Sequence, residues 1–595
     1  MHQVSNHDLV RILSEMATLY DMEGVAFKPR AYEKVAEHIE QLDREVTDLY
    51  REGGVKALRT IPNVGEGIAY HIELILKTGT FPEYEKYKKR VPVKLDELMG
   101  IGGLGPKSIK TLYARLKIKD LSSLERAARA GKIAKLARFG EKSQEKILKA
   151  IEFSKKGVGR FLLGAVEPLV RTIEERLRRV PDVGHVTTAG SYRRRQETVG
   201  DIDILVTAKN GKRVMEEFLN MPEVETVLAH GSTKSAVRLK SGIQCDVRVV
   251  PEESYGAALQ YFTGSKEHDV ELRKIAIKKG FKLNEYGVFK VGARSQKLGA
   301  RVAGRTEEEV YRALGLRVME PELRTASGEI EAARAGKLPK LILYGSLRGD
   351  LQVQSSWTDG NNSIEEMARA AAEAGLEYIA ITDHTKGLAM TRGLDEKRLL
   401  QQGKEIDRVN AELRMKNVEC RVLRGTECNI LKDGKLDLTD AALKTLDIVG
   451  VSVHSHFNLS EREQTERIIR ALKNPLVNIL FHPTGRKIQK REPYAVDMSK
   501  IIRAAVLYGV ALEINAAPER LDLKDTHIRE AVERGAKLVI DSDAHATAHF
   551  KWLDFGISQA RRGWATKKEV LNTLSCEEFL KALKGLTPNE IRHGM

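Results

Sequence analysis

One short stretch, residues 190–205 with the sequence GSYRRRQETVGDIDIL, constrains the fold most strongly. It joins a glycine-serine turn to an apolar run that begins with Asp201 and Asp203. Residues two apart on a strand point to the same face, so these two carboxylates can hold a divalent metal ion together. A third acid, Asp246, lies in the apolar run 243–250, which is also typical of a strand. Three carboxylates on neighbouring strands predict a two-metal site.

The turn ahead of the carboxylates supplies groups that bind a triphosphate. Phosphoryl transfer depends on in-line positioning and on charge neutralisation, and paired metal ions supply both. Gly190 lets the backbone approach phosphates closely, Ser191 can donate from its hydroxyl, and Arg194 offers a planar fork of donors. Such an acid pair also occurs at solvated strand ends, and short motifs have many false positives. The turn and the later acid together favour the catalytic interpretation.

The segment resembles the palm of family X DNA polymerases, the nucleotidyltransferase group that includes DNA polymerase beta. Downstream, residues 261–265, YFTGS, are similar to the sugar-recognition segment of that family. The resemblance implies that Tyr261 and the backbone beside it crowd the 2′ position of the nucleotide. Deoxynucleotides are therefore the expected substrates.

The resemblance also implies roles for individual residues. The expected catalytic metal ligands are Asp201, Asp203 and Asp246, with Asp246 also the base for the primer 3′-OH. The expected nucleotide-binding residues are Gly190, Ser191, Arg194, Gly200, Tyr261, Phe262, Gly264 and Asp269. Arg248 is expected to hold Asp246, and Arg273 to contact the template strand. Asp269 departs from the family, which commonly has Asn there as a donor toward the incoming base, so nucleotide affinity or fidelity is expected to differ.

Composition agrees with a large enzyme that acts on nucleic acid. With 595 residues, 42% of them hydrophobic, the chain is expected to form several cores. The net charge of +16 favours a polyanionic partner, although excess base also serves solubility or membrane surfaces. Four cysteines without CxxC spacing predict neither a disulfide framework nor a zinc ribbon. No signal peptide or long apolar run is found, so a cytoplasmic protein without a membrane partner is expected.

The N-terminal third is predicted to be helical, with glycine-marked turns. Segments 61–69, IPNVGEGIA, and 103–107, GLGPK, each precede a helical pattern and resemble a helix-hairpin-helix. In that motif the turn exposes backbone N–H groups, which bind a DNA phosphate without reading sequence. The implied DNA-binding residues are Gly65, Gly67, Gly103, Gly105 and Lys107. A weaker third copy lies at 139–143, and an ordinary turn between helices stays an alternative for any single copy.

In DNA polymerase beta the corresponding domain is also a lyase, which removes the 5′-deoxyribose phosphate through a lysine Schiff base and so needs a primary amine. Alignment on the first turn places His71 at that lysine, and Gly67 where another lysine often lies. No lyase activity is expected, with Lys77 as the remaining alternative. Three basic residues either bind a downstream 5′-phosphate or form a solvated helix face: Lys28, Arg30 and Lys34.

From residue 341 onward, short apolar strands alternate with amphipathic helices, which predicts a βα barrel of parallel strands. The predicted strands are 378–382, 447–453, 477–481, 511–514 and 537–540. Barrel enzymes build their sites at the carboxyl ends of strands, where this chain has polar residues. These residues are Asp383, His384, Glu427, His454, His456, His482, Asn515, Asp543 and His545.

The order and spacing resemble the PHP (polymerase and histidinol phosphatase) domain, a seven-stranded barrel that holds up to three metal ions and hydrolyses phosphoesters. In bacterial and archaeal family X enzymes it follows the polymerase and often supplies a 3′→5′ exonuclease. The implied ligands for Mn²⁺ or Zn²⁺ are His384, Glu427, His454, His482, Asp543 and His545, with His456 as a substitute.

The first motif of the barrel, residues 349–360, departs from that family. Gln352 and Gln354 occupy the two positions of its HxH motif. An amide oxygen is a poorer ligand for these ions than an imidazole nitrogen, so one metal position should be empty or weakened. Two interpretations stay open. The barrel is either an impaired scaffold that orients the polymerase or binds DNA, or a phosphoesterase or nuclease that uses fewer metals.

The sequence thus predicts a multidomain chain with all-α helix-hairpin-helix domains, an α/β palm with an α+β thumb, and a C-terminal (βα)7-type barrel. The expected domains are an N-terminal helical domain at 1–90, fingers at 91–157, palm at 158–255, thumb at 256–324, linker at 325–340 and barrel at 341–595. The leading hypothesis is a DNA-directed DNA polymerase that fills gaps in base excision repair. It would use Mg²⁺ or Mn²⁺ in the palm, dNTPs, and gapped or primer-template DNA, and act as a monomer. The alternatives are a nucleotidyltransferase for RNA or a small molecule, and a basic scaffold that binds DNA ends.

Overall fold

The computed structural model describes residues 4–40, 42, 44–99, 101, 104–137, 139–157, 159–291 and 298–586. The chain divides into two compact units. The first comprises residues 1–158 with 489–492, and the second comprises residues 159–488 and 493–595.

The first unit is built of helices in its described part. They are α1 (Asn6–Glu23), α2 (Lys28–Glu40), α3 (Val46–Leu58), α4 (Glu66–Thr78), α5 (Pro82–Arg90), α6 (Leu95–Met99), α7 (Pro106–Leu116), α8 (Leu121–Arg129) and α9 (Glu141–Gly157). A capping box starts α1, because Ser5 and Asp8 accept hydrogen bonds from each other's backbone N–H groups. The apolar helix faces share one core, in which Leu13, Met16 and Ile72 are fully buried.

The second unit begins with a mixed region of helices and strands. Its elements are β1 (Phe161–Leu162), α10 (Leu163–Arg178), β2 (Val183–Thr188), α11 (Gly190–Arg193), β3 (Thr198–Val199), β4 (Asp201–Ala208), α12 (Gly211–Leu219), β5 (Val224–Ala229), β6 (Lys234–Leu239), β7 (Gln244–Val249), α13 (Tyr255–Thr263), α14 (Lys266–Lys278), β8 (Phe281–Asn284), β9 (Gly287–Val291), β10 (Leu298–Ala303), α15 (Glu307–Ala313) and α16 (Glu329–Ala335). Within the described residues, five strands form a sheet in the order β2-β4-β7-β6-β5, and β8, β9 and β10 form an antiparallel sheet.

The alternation of residues along β4 sets the direction of the predicted acids. Ile202 and Val206 are buried with α10 and α12 on one face of the sheet. Asp201 and Asp203 have the opposite parity, so they lie on the other face. The strands β4 and β7 are parallel, and their register pairs Asp203 with Asp246. The sheet therefore places the third acid beside the second, as the sequence predicts.

Residues 325–340 differ from the predicted linker. They contain α16, and its residues Ile330 and Ala333 are buried in a core shared with Leu272 and Val310. The polar, alanine-rich composition of this stretch reflects a short amphipathic helix with one buried face. This segment is a packed part of the second unit.

The rest of the second unit is a barrel. Its elements are β11 (Gly349–Val353), α17 (Ile364–Glu373), β12 (Tyr378–Ile381), α18 (Glu396–Met415), β13 (Arg421–Asn429), α19 (Asp440–Leu443), β14 (Ile448–Ser452), α20 (Glu461–Leu472), β15 (Ile479–Leu480), α21 (Met498–Tyr508), β16 (Ala511–Asn515), α22 (Asp525–Glu533), β17 (Leu538–Asp541), α23 (Leu553–Arg562) and α24 (Cys576–Leu586). In the described residues, seven parallel strands follow one another in chain order.

The two outer strands of this sheet approach each other. The Ala544 N–H donates to the Gln352 carbonyl at 3.1 Å, and the Gln354 N–H donates to the Ala544 carbonyl at 2.8 Å. The sheet is therefore a nearly closed barrel, and the predicted fold class is confirmed. Strands β11 and β13 add to the five predicted ones. Among the described helices, none has both the length and the apolar character needed to cross a bilayer.

Candidate active sites of the palm and the barrel

The three acids of the sheet concentrate negative charge. Burial, together with the charges of Asp201 and Asp246, raises the pKa of Asp203 to about 6. Asp246 accepts a hydrogen bond from the Gln244 amide at 2.8 Å and lies 3.3 Å from the Lys234 ammonium. A carboxylate whose pKa is raised by neighbouring carboxylates fits a divalent cation, which removes the repulsion.

Arg248 contacts an aromatic ring of α13. Its guanidinium lies 4.6 Å from the ring centroid of Phe262, and the side chains that hold Asp246 are Gln244 and Lys234. Arg248 therefore supports the aromatic residue beside Tyr261, whose ring packs edge to face on Phe262 at 5.1 Å. The alternation on β7 gives Arg248 the same face as Asp246, but the ring of Phe262 is its contact.

The turn before β4 requires glycine at its first position. Gly190 has a φ of +63°, and a Cβ there would lie 3.0 Å from a carboxylate oxygen of Asp203. Two buried polar atoms next to it have no partner in the described structure, the Ser191 hydroxyl and Nε of Arg194. Buried donors without partners are costly in a protein, so this turn fits an oxyanion such as a phosphate.

Three consecutive arginines of the turn have three different partners. Arg193 forms a two-pronged ion pair with Glu307 at 3.0 and 2.6 Å. Arg194 donates to the Thr263 carbonyl, and burial lowers its pKa, with Arg562 adding to the effect. Arg195 pairs with Glu167 at 2.6 Å. Arg193 and Arg195 are structural contacts, and Arg194 is the arginine of the turn that keeps an unpaired donor.

Asp269 lies in the first turn of α14 and is largely buried. Burial raises its pKa to about 7, against the opposing effects of the Gln260 hydrogen bond and the Arg273 charge. The Gln260 amide donates to Asp269 at 2.7 Å, and Nε of Arg273 donates to the Asp269 carbonyl at 3.2 Å. Gly264, just before α14, has a φ of +67°, and a Cβ there would lie 3.1 Å from Arg194. Thr263 and Gly264 of this segment therefore lie against Arg194.

In the first unit, the glycine turns present uncapped helix ends. Gly65 is the N-cap of α4 and Gly105 the N-cap of α7, and neither helix start has a side-chain cap. Gly67 and Lys107 are exposed in the first turns of these helices. Gly103 lies outside the described residues. Free N–H groups at helix starts are suited to phosphate.

The positions considered for Schiff-base chemistry are unsuited to it. His71 is half-buried, stacks on Phe81 at 4.2 Å, and lies 2.6 Å from the Tyr32 hydroxyl. Lys77 is exposed, and its hydrogen bond to Glu73 at 2.8 Å raises its pKa. A raised pKa keeps an amine protonated and lowers its nucleophilicity.

The barrel gathers two clusters of metal-binding side chains that share His384. One cluster is Asp359, His384 and His545, and the other is His384, Glu427 and His454. In each, one ligand atom from every member lies within 4.8 Å of the others. Within the described residues, the palm acids are not gathered this tightly. His456 is exposed and belongs to neither cluster, so the structure gives no support to it as a substitute ligand.

The glutamines lie in a third part of the barrel site, beside the two clusters. We call this part the third corner, and its residues are Gln352, Gln354, Asn515, Arg520 and Asp543. The Gln354 amide donates to Glu427 at 3.1 Å, and the Asn515 amide donates to Gln352 at 3.1 Å. Arg520 lies in the same corner, 3.3 Å from the Asp543 carboxylate. Neutral amides and one guanidinium therefore fill the position where a metal ion with imidazole ligands would be expected.

Glu427 is the centre of the barrel site. His482 donates to it at 2.8 Å, and His454 and His384 lie 3.2 and 3.3 Å from it. Burial would raise the pKa of Glu427, but these histidines hold it well below its usual range. The carboxylate is therefore ionised, which is the form that can bind a metal ion.

Comparison with known proteins identifies the families of the polymerase domains and of the barrel. Family models match a helix-hairpin-helix domain at residues 4–81, a DNA polymerase beta palm at 165–244, a DNA polymerase beta thumb at 258–325 and a PHP domain at 350–517. The DNA polymerase/3′-5′ exonuclease PolX of Bacillus subtilis (strain 168) is 37% identical over 580 residues, which is 97% of this chain and 99% of the relative. The chain belongs to the PHP-containing family X DNA polymerases.

Two further relatives each cover a smaller share of this family X polymerase. DNA polymerase lambda of Arabidopsis thaliana is 25% identical over 349 residues, covering 54% of this chain and 62% of the relative. A protein of Thermoanaerobacter sp. (strain X514) described as a probable phosphatase is 32% identical over 238 residues, covering 38% of this chain and 89% of the relative. The predictions of the family and of a DNA-directed DNA polymerase are confirmed.

The structure adds two residues to the candidate barrel site that the sequence prediction missed. Asp359 belongs to a cluster that could hold a metal ion, and the signal was present, since an Asp-Gly pair follows the end of β11. Arg520 in the third corner had no signal, because an arginine after a strand is usually a solvated residue. Polymerases of this family and PHP domains act with divalent metal ions, and the donor sets of both sites fit such ions.

Proposed function

We propose that this family X polymerase fills short gaps in duplex DNA by two-metal nucleotidyl transfer, as in base excision repair. The observation that carries the proposal is the parallel register that pairs Asp203 with Asp246, beside a turn with unpaired donors at Ser191 and Arg194. Asp201, Asp203 and Asp246 would hold Mg²⁺ or Mn²⁺, which would supply charge neutralisation at the attacking and leaving oxygens.

The protein groups around this site have separate tasks. Ser191 and Arg194 donate to the triphosphate, and the backbone at Gly190 approaches it. Asp246, the acid nearest Lys234, accepts the proton of the primer 3′-OH. Tyr261 and Phe262, held by Arg248, crowd the sugar of the nucleotide. Pyrophosphate then leaves from the position that Arg194 neutralises.

Primer extension on a duplex with a one-nucleotide gap tests the polymerase. The wild type is compared with Asp201→Asn/Asp203→Asn and with the control Glu225→Gln, an exposed acid on β5 of the same sheet. We expect extension by the wild type and the control and none by the double variant. Preference for rNTPs would instead support the alternative nucleotidyltransferase. Absence of extension by the wild type with either metal would support the DNA-end scaffold.

The first unit is proposed to hold gapped DNA without lyase chemistry. Its uncapped helix ends at Gly65 and Gly105 bind phosphates, and Lys107 adds charge. His71 is neutral and stacked, and Lys77 is protonated. Borohydride should therefore trap no covalent complex with an incised abasic site, whereas trapping that is lost in Lys77→Ala would contradict this assignment.

The barrel is proposed to be a phosphoesterase or nuclease on fewer metals, with impaired 3′→5′ exonuclease activity. The two clusters that share His384 favour this over a barrel without metals, and the third corner explains the impairment. Mn²⁺ or Zn²⁺ would bind at Asp359, His384 and His545, and at Glu427 with His454. His482 and Asp543 would hold Glu427 and Arg520 in place.

Metal content and primer shortening without dNTP test the barrel in the full chain. We expect His384→Ala to lose both barrel ions, because both clusters use that residue. The matched control His456→Ala should keep them, because His456 is in neither cluster. No metal in the wild-type barrel and no shortening of a labelled primer under Mn²⁺, Zn²⁺ or Co²⁺ would favour the scaffold.

A further inference from the structure

The turn proposed to bind the triphosphate is packed against the barrel. Helix α23 of the barrel ends at Arg562, whose side chain is 6% exposed. One amine of its guanidinium donates to the Arg194 carbonyl at 3.2 Å, and another pairs with Asp525. The backbone of the arginine that has the unpaired donor is therefore held by a residue of the other domain.

The next residue of the turn is held as well. Nε of Arg195 donates to the Ser558 hydroxyl on α23 at 2.9 Å, while its other end pairs with Glu167 of α10. Its guanidinium also lies 5.5 Å from the ring centroid of Phe555 on α23. Arg195 has a φ of +52°, a conformation that surroundings must support in a residue other than glycine.

Glu197 is the third point of attachment. Arg486 of the barrel donates to its two carboxylate oxygens at 3.2 and 2.6 Å, and Gln559 of α23 donates at 2.8 Å. The Glu197 carbonyl accepts from the Leu163 N–H at 3.1 Å, which ties this point to the start of α10. A two-pronged guanidinium–carboxylate pair fixes both distance and orientation.

Apolar packing continues the same contact. Leu521 and Phe555 of the barrel are buried in one core with Leu163 and Ile202 of the palm. Pro518 approaches Gly164 so closely that a Cβ there would lie 2.5 Å from the proline. The two domains therefore share a core directly beneath the turn, and the polar contacts are not isolated surface pairs.

We propose that the barrel is a structural part of the nucleotide-binding site, with Arg562, Arg486 and Gln559 as positioning residues for the turn that carries Arg194. This inference rests on the proposed role of that turn in binding dNTP. A loop held in its binding conformation loses less entropy when ligand binds, so the barrel contributes nucleotide affinity without touching the nucleotide. It also gives the barrel a task that does not depend on its metals.

Steady-state gap filling by the full chain tests the inference through the KM for dNTP. The variants are Arg562→Met and Arg486→Met, which keep the apolar stem and remove the donors. We expect the KM for dNTP to rise roughly tenfold, with kcat within about twofold of wild type, for the loss of one or two buried charged hydrogen bonds. The dissociation constant for gapped DNA should not change.

The matched control is Arg529→Met on α22 of the barrel. Arg529 pairs with Glu533 at 2.5 Å and lies 3.6 Å from the ring centroid of Trp564, and among the described residues these two partners both belong to the barrel. It should leave the KM unchanged. Arg562→Lys should recover part of the affinity, because it keeps a donor. The effects of Glu197→Gln and Arg486→Met should be less than additive, because both break the same pair.

Three results would overturn the inference: an unchanged KM in both variants, an equal rise in Arg529→Met, or a fall in kcat and DNA affinity together, as local misfolding would give. Arg194→Met separates this inference from the proposed function. If Arg194→Met leaves the KM unchanged, the proposed role of the turn fails. If it raises the KM while Arg562→Met and Arg486→Met do not, the positioning role of the barrel alone fails.

Discussion

The palm and the barrel both collect buried acids, but they differ in what neutralises them. In the palm, Asp203 and Asp246 are adjacent, and the Lys234 ammonium lies 3.3 Å from Asp246. In the barrel, Glu427 contacts three histidines and Gln354, and Arg520 compensates Asp543. The palm leaves charge and donors for metal and triphosphate, whereas Glu427 and Asp543 of the barrel already have partners among its own side chains.

The comparison shows that a binding site is recognised by uncompensated groups more than by the number of acids. A buried charge that has partners in the protein gains little from a new ligand, because the old contacts must first be lost. Ser191 and Arg194 have buried donors without partners, and Asp203 has a raised pKa. A bound triphosphate would give these donors partners, and a bound metal ion would lower the pKa of Asp203 again.

The largest expected effects come from a substitution in each site in turn, with the activity and the metal content of the chain measured each time. Asp203→Asn should reduce primer extension by about a thousandfold, because it removes a ligand shared by the proposed ions. His384→Ala should remove the barrel metal and leave the rate of extension within about twofold of wild type, because the positioning contacts involve other residues. Rates of gap filling and metal content per chain are measured for both variants. A barrel metal content that falls in Asp203→Asn would show that the sites are not independent.

Restoring imidazole ligands to the third corner should increase both metal binding and primer shortening. Gln352→His/Gln354→His places better ligands beside Glu427 and Asp543, and we expect about one more equivalent of Mn²⁺ or Zn²⁺ per chain. Primer shortening without dNTP should increase by at least about tenfold, because the proposed impairment is attributed to these two glutamines. Metal analysis and a labelled-primer assay measure the two effects.

The control for the added metal is the same double-histidine variant with Asp543→Asn as a third substitution. It removes the carboxylate that Arg520 now compensates, so the two histidines should recruit no further metal. A double-histidine variant that binds no additional ion would show that Arg520 keeps the corner closed. The charge of Asp543 would then stay compensated by Arg520 even with imidazole ligands present, which is a stronger compensation than the comparison with the palm indicates.

A smaller effect is expected from Asp269. Burial raises its pKa to about 7, so the carboxyl is protonated and can donate below that pH, and it is ionised above it. The KM for dNTP should therefore rise by roughly tenfold between about pH 6 and pH 8, as a donor is lost and a negative charge is gained. Initial rates of gap filling across this range give the profile.

Asp269→Asn is the control for the pH profile. Its amide donates at every pH, so the variant should lose the part of the rise that belongs to Asp269. Changes that arise from ionisation of the dNTP itself would remain in both proteins. Equal profiles for wild type and variant would mean that Asp269 does not contribute its proton to nucleotide binding.

The sequence could predict the parts of these sites that depend on local pattern. Period-two spacing placed Asp201 and Asp203 on one face, and strand ends located His384, Glu427 and His545. It could not show that Arg520 fills the corner next to the glutamines. Nor could it show that α23 holds residues 194–197, because such contacts join residues more than three hundred positions apart.

Other differences have equally physical causes. The stretch 325–340 is polar and rich in alanine, which is typical of a linker, but one face of α16 is buried. Arg248 shares a face with Asp246 by parity, yet the ring of Phe262 lies close enough to take its guanidinium. Periodicity gives the side of an element, and packing decides which neighbour on that side is contacted.

The smallest expected effect concerns DNA binding, on which both proposed activities depend. Lys107→Ala should weaken binding of gapped DNA by about threefold at moderate salt and lower the slope of log K against log salt by about 0.9, as loss of one phosphate contact requires. Lys117→Ala is the matched control, since Lys117 follows the other end of α7 and lies 5.3 Å from the ring centroid of Tyr113. Fluorescence anisotropy over a salt series measures both.

Because the DNA is shared, extension and primer shortening at low DNA concentration should fall by the same factor in Lys107→Ala. Unequal loss would mean that the palm and the barrel receive DNA by different routes, and their difference would then lie in access as well as in charge compensation.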